Sequence, residues 1–414
     1  MDDRDDVELM IGRLGLAMLA AGYAVTDVTA ELRRVANSAG RAEMSIGALP
    51  NAILVDDPAV QRARVADMAA GTEYRFDQCQ RVGIVAGRAA VGELTPAAVI
   101  AELDAVAAMP PRYPAWLVVV GFGAIAAGVS AVFRTTWGAL AVDLGVGLVV
   151  GVLMVVLGRF PRLTGLLPVA LGFASAALVF GASQLLGLPP VPLFAVFAPI
   201  VVLVPGATIT NAVIELAAGD VVSGGGRLVA GLVTWVMLLL GVMLGGAAVG
   251  VTGAELAESL VGPLPLWSAL VGLVVMAAGI TWTGSASAKL GFVVAVVLLL
   301  TFGIVAAVST LVGYQIASGI AAAIMLVATR LTERRHSELP AIVTFRPAFW
   351  LLVPGSLGLA SLTQVTTSGV GVTEAFLVPV IGTIVAITLG VQVGAVASEA
   401  LLRARRDSNP QPAG

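Results

Sequence analysis

The 414-residue chain has one cysteine (Cys79), one histidine (His336) and one lysine (Lys289), and only 12% of its residues are charged. A lone cysteine closes no intramolecular disulfide, which excludes a disulfide-held scaffold. One imidazole and one thiol are too few soft ligands for a zinc, haem or iron–sulfur site, so no metal and no cofactor is expected. An ordinary soluble domain carries roughly a quarter charged residues; about half of that is missing here. With 58% apolar residues and a mean hydropathy of +0.98, disorder is excluded as well. The few charges are unevenly spread. More than half precede Pro114, where they sum to −5, and the remainder of the chain sums to +2. That acidic balance argues against a nucleic-acid partner. The expected organisation is a small soluble domain over residues 1–112, two membrane segments over 113–257 and 258–400, and a tail over 401–414.

The opening Met1–Asp6 is acidic where a secretory signal needs a positive start. The apolar stretch from Val7 to Val25 is broken by Glu8 and Arg13. It then meets Asp27, Glu31, Arg33 and Arg34 at helical spacing. That pattern fits an amphipathic soluble helix better than a first membrane span. Residues 42–55 read as short strands around a turn at Pro50-Asn51, and helical patterning returns at Gln78–Val91. A further helix is expected from Thr95-Pro96, with Thr as N-cap and Pro at the first helical position. It stops before Pro110-Pro111.

A membrane-spanning helix needs about 20 mainly apolar residues. Qualifying stretches begin at Trp116, Leu140, Leu166, Val191, Leu228, Leu266, Leu290, Leu311, Phe349 and Ala375, ten in all. With the soluble domain in the cytoplasm, the inward gaps and tail hold Arg159, Arg162, Arg227, Lys289, Arg330, Arg334, Arg335, Arg346, Arg403, Arg405 and Arg406. The outward gaps hold Arg134. Basic residues favour the cytoplasmic side, so both termini are expected there, in a multi-pass protein surrounded by lipid.

The fourth stretch contains Leu203-Val-Pro-Gly206 followed by Thr208, Thr210, Asn211 and Glu215. The ninth contains Leu352-Val-Pro-Gly355 followed by Ser356, Ser361, Thr363 and Gln364. The two lie five spans apart, so a duplicated five-span unit would enter the membrane from opposite sides. That is an architecture of secondary transporters. The expected fold is mainly α: about ten transmembrane helices in two inverted five-helix repeats, after a small, mixed and mostly helical cytoplasmic domain. A proline within a helix removes a backbone donor, and the glycine after it lets the chain bend. Backbone groups freed in this way must face protein or a wet cavity. The candidate site is therefore Pro205, Gly206, Thr208, Thr210 and Asn211 with Pro354, Gly355, Ser356, Ser361 and Gln364. Hydroxyl, amide and carboxylate groups at such a depth suit a small amino acid. Glu215 and Asp143 are the candidates for proton coupling, since intramembrane carboxylates are costly and usually functional. A kink whose polar groups bond back to their own helix is the structural alternative, and for Asp143 it is an interfacial cap.

Several stretches together resemble the threonine/serine exporter family: the segment Gly12–Gly40, Gly92-Glu-Leu-Thr-Pro-Ala-Ala98, Pro110-Pro-Arg-Tyr-Pro114, Leu203–Asn211 with Glu215–Asp220, Ser223-Gly224 and Arg227, and Leu352–Ser356. The resemblance implies a cytoplasmic domain joined to ten spans, and export of L-threonine and L-serine driven by the proton-motive force. It implies an amino-acid substrate and protons as partners, and not an enzyme. Export of other small carboxylates and a membrane-embedded enzyme remain as alternatives, and a homo-oligomer stays open. The chain lacks a paired-His metal motif and a Gly-x-Ser-x-Gly elbow. The run Gly224-Gly-Gly226, expected in a cytoplasmic loop, follows no strand.

Overall fold

The computed structural model describes residues 3–58, 62–68, 73–188, 193–251, 264–335, 339, 341–352 and 372–408. It is mainly helical. The first unit contains α1 (Asp3–Ala20), α2 (Val25–Ser38), the strands β1 (Ser45–Leu49), β2 (Ala52–Asp57) and β3 (Arg62–Asp67), then α3 (Phe76–Ala90) and α4 (Pro96–Ala107). The expected single helix across residues 12–40 is two helices, because Gly22 takes φ +89° and turns the chain between them. Alternation along β2 buries Ile53 and Val55 and leaves Leu54 exposed, so one sheet face meets α1 and α2. The turn at Pro50-Asn51 joins β1 to β2 in antiparallel register, with Ile46 opposite Val55. β3 pairs on the other side of β2. As a sheet edge it tolerates Arg62 and Arg64, which hid it from the apolar pattern. Thr95 caps α4 by accepting from the Ala98 N–H at 3.3 Å.

The apolar bundle follows as α5 (Ala115–Val132), α6 (Trp137–Leu157), α7 (Leu167–Leu185), α8 (Leu193–Phe197) running into the 3-10 segment Ala198–Leu203, α9 (Gly206–Ala217), α10 (Val221–Ala248), α11 (Leu266–Thr283), α12 (Ala288–Val312), α13 (Tyr314–Arg335), α14 (Ala341–Leu352) and α15 (Val372–Ser408). Among the described residues, seven helices are long and apolar enough to cross a membrane. The bent pair Ala195–Leu203 and Gly206–Ala217 would make an eighth span. Large apolar side chains such as Val236, Met243, Phe292 and Leu300 lie on the outside. Such a surface is compatible with lipid and not with water. Two details differ from the sequence pattern. Gly224-Gly-Gly226 and Arg227 lie in the first turns of α10, because Ala218–Asp220 closes a short turn after α9. Arg330 and Arg346 are likewise helical, in α13 and α14. The break expected at Pro354 lies outside the described residues.

α5 and α11 pack antiparallel through glycines. A methyl group at Gly121 would strike the Gly279 carbonyl, and one at Gly128 the Gly272 carbonyl. The two helices also match in their surroundings, with one constant residue offset. Pro114 and Pro265 precede them in the same extended conformation. Arg134 and Ser285 follow with φ +53° and +54°. Thr136 and Ser287 then cap α6 and α12. The same offset relates Gly121 to Gly272 and Gly128 to Gly279, so each glycine meets its counterpart's partner across the contact. A similar close contact joins α7 to α10 at Gly172, Gly241 and Gly245, and α13 to α15 at Gly319, Gly390 and Gly394. Small residues let helix backbones approach where lipid supplies no hydrophobic drive for association.

Candidate functional site

The site begins with the bend at Val204-Pro205. The proline cannot donate to the preceding turn, and the helical axis swings by 57° before α9 starts at Gly206. Gly206 is obligatory for a steric reason, since a Cβ there would collide with the Phe349 ring of α14. The bend aims one face of α9 inward and buries Thr210, Asn211 and Glu215. Thr208 points elsewhere, packing toward Gly231 of α10.

Asn211 and Glu215 meet the first unit. The Asn211 amide donates to the Gly22 carbonyl at 2.9 Å. The Val25 N–H, which opens α2, donates to Glu215 Oε1 at 2.8 Å. Arg227 of α10 places its Nε 3.2 Å from the same oxygen. The Glu215 side chain is fully buried, with an ion-pair partner on one side and a helix N-terminus on the other. Nearby, Arg330 of α13 reaches Asp27 of α2 at 3.3 Å. Two further contacts fasten the unit to the bundle at the same end. The Phe76 N–H donates to the Gly284 carbonyl at 2.9 Å, and Arg346 lies over the Phe76 ring.

Between the unit and the bundle opens a cavity of about 530 Å³. Tyr23 and Asp27 line it from the unit, Thr210 and Asn211 from α9, and Arg330 and Glu333 from α13. The volume lies within the usual range of roughly 300–1,000 Å³ for small-ligand pockets. Burial, and then the charge of Glu333, hold the Tyr23 hydroxyl well above its ordinary pKa. It therefore faces the cavity as a neutral hydrogen-bonding group. Thr210 also borders a smaller gap beside Gly206, Phe349 and Thr388, so it lines both spaces.

Asp143 sits apart from this cluster. It lies within α6, fully buried, with the Ser130 hydroxyl as its polar neighbour and no charged partner among the described residues. It is not the cap of its helix, because Thr136 holds that position and accepts from the Ala139 N–H at 3.2 Å. Of the other sequence-predicted positions, Pro354, Gly355, Ser356, Ser361 and Gln364 lie outside the described residues. The structure thus gathers Pro205, Gly206, Thr210, Asn211 and Glu215 and leaves Thr208 and Asp143 elsewhere. It adds Tyr23, Asp27, Arg330, Glu333 and Phe349. Sequence reasoning had Asp27 as a surface charge and Arg330 as a loop charge, and no local signal joins two residues so far apart in the chain.

Compared with known proteins, residues 9–249, more than half of the chain, match the model of the threonine/serine exporter family, ThrE. No curated protein and no solved structure matches.

Proposed function

The chain belongs to the threonine/serine exporter family, and from that premise we propose that it is a secondary exporter of L-threonine and L-serine coupled to the proton-motive force. The observation that carries the site is the bend at Pro205, which brings the hydroxyl of Thr210 and the amide of Asn211 to the wall of a cavity of ligand size. Substrate enters on the side of the first unit, binds against Thr210 and Asn211, and leaves across the bundle as its halves rock. The reading also assigns substrate binding to Ser356, Ser361 and Gln364 after Pro354-Gly355, on the sequence pattern alone.

Two inverted five-span repeats, over 113–257 and 258–400, supply the moving parts of this reading. The matched surroundings of α5 and α11 support it. Helices that are equivalent by offset yet antiparallel in space are what an inverted duplication produces. The self-complementary glycine contact is that of a two-fold axis. The match to the family over residues 9–249 ends close to the end of the first repeat, which agrees with a boundary there.

The orientation is N-in and C-in, in the inner membrane of a bacterium. The first unit, residues 1–112, touches Arg330 and Arg346 and the Gly284 end of α11, the face that gathers basic residues. Asp143 is the coupling carboxyl in this scheme. Glu215 is already committed to Arg227 and Val25, whereas Asp143 is buried with no charged partner among the described residues. Carboxyls held at such depth mark proton and ion pathways.

Thr210→Val tests the site. It removes one hydrogen-bonding hydroxyl at nearly constant volume, worth about 1 kcal/mol or somewhat more, and export should fall roughly five- to tenfold with membrane abundance unchanged. Equal loss of abundance and export would make Thr210 a structural residue and remove the site from α9.

A further inference from the structure

The cavity wall carries charges of both signs from two different parts of the molecule. Asp27 belongs to the first unit and Arg330 to α13, and their contacts at 3.3 and 3.4 Å both run to one guanidinium nitrogen. That contact is long for a charge-assisted bond, which is normally about 2.7–2.9 Å. The Asp27 side chain is 46% exposed and that of Arg330 is 19% exposed, so the acid is hydrated while the guanidinium is mostly enclosed. Asp27 is also firmly positioned. It lies in the first turn of α2, whose opening N–H is tied to Glu215 and whose preceding turn is tied to Asn211. A loose ion pair, held on rigid supports at the rim of a cavity, can be opened by a ligand that offers a charge of the opposite sign to each member.

We propose that the first unit forms half of the substrate site: an amino acid enters this cavity as a zwitterion, its ammonium taken by Asp27 and its carboxylate by Arg330, and the ion pair opens to admit it. The inference rests on the exporter reading and adds to it the two residues that read the substrate's charges. Tyr23 and Thr210 on the same wall, one from each side, are placed to meet the substrate hydroxyl. A simple carboxylate would satisfy Arg330 and leave Asp27 unpaired, and an amino alcohol would do the reverse. Selection for a zwitterion follows from the pair and not from either residue alone.

The test uses the full-length protein in lipid nanodiscs and three probes in competition with labelled L-serine: unlabelled L-serine, serinol (carboxylate absent) and glycerate (ammonium absent). The wild-type chain should bind each analogue at least about tenfold more weakly than L-serine, the cost of one unmade charged hydrogen bond. Arg330→Gln should lose about 10–100-fold for L-serine while keeping its affinity for serinol, so that its preference between the two disappears. Asp27→Asn should do the same with glycerate. Arg330→Lys, which keeps the charge and the contact with the first unit, should retain a preference for L-serine over serinol. It carries the test if the glutamine variant does not fold. If both neutral variants keep the wild-type ratios, the pair is a docking contact only and the proposal fails. Counterflow of L-serine by the wild-type chain, run alongside, separates the two claims. Exchange with unchanged ratios leaves the exporter reading standing, and absence of any amino-acid exchange removes both.

Discussion

Asp143, Glu215 and Cys79 are all buried, and their partners decide what each can do. Glu215 has a guanidinium and a backbone N–H on one oxygen, which hold that oxygen in position. Asp143 has no charged partner among the described residues, and a sequence pattern that shows only a carboxylate in an apolar run cannot distinguish the two. Cys79 contacts the backbone carbonyls of Ala21 and Tyr74, and burial, partly offset by Arg346, pushes its pKa up to about 12 from an ordinary 9. The folded chain therefore keeps this proton where the unfolded chain has lost it. The corresponding stability is present below pH 9 and declines as pH rises through the window from 9 to about 12. We expect the native thiol to resist maleimide at pH 8 and to react at once on denaturation, and alkaline titration above pH 9 to lower the unfolding temperature. Rapid native labelling at pH 8 would contradict this burial.

At the scale of elements, the proline in an apolar run was a readable signal, because its lost donor and ring clash act locally, and the bend at Pro205 lies where the residues point to it. The Thr95 cap and the Pro50-Asn51 turn were readable for the same reason. β3 was not, since an edge strand carrying Arg62, Arg64 and Asp67 has too little apolar content to stand out. The glycines of α5 and α11 were not readable either. The chain holds 48 glycines, and only the fold shows which of them meet another backbone. Gly128→Leu should therefore be severe. It forces α5 from the carbonyl of Gly272, and overpacking of this kind costs about 1–3 kcal/mol or more. Gly145→Leu, where nothing lies within reach of an added Cβ, should be tolerated. Thermal unfolding of both variants in detergent checks the contrast, and equal melting temperatures would mean that the α5–α11 contact does not hold the bundle together.

For the whole molecule, the link between the first unit and the bundle was the least visible feature from sequence. Asp27 and Arg330 are separated by 303 positions, and Val25 and Glu215 by 190, so no periodicity or motif could pair them. The charge asymmetry of the loops was visible and predicts the orientation. In the proposed topology, Arg159 lies on the cytoplasmic side and Leu186 on the outer side, and both are exposed. A membrane-impermeant thiol reagent added to intact cells should label Leu186→Cys and spare Arg159→Cys, with the pattern reversed in inside-out vesicles. The reverse result in cells would invert the topology and put the first unit outside.

The central claim is that this chain moves small hydroxy amino acids by exchanging them against protons across two rocking halves. Its most direct test is the flux of labelled L-serine in proteoliposomes containing only the purified chain, with and without an imposed pH gradient. We predict that the gradient drives L-serine to accumulate above its equilibrium level, that an uncoupler abolishes the accumulation, and that Asp143→Asn loses the response to the gradient. A flux that only equalises L-serine across the bilayer, with the same rate and end point whether or not the gradient is present, would contradict the account.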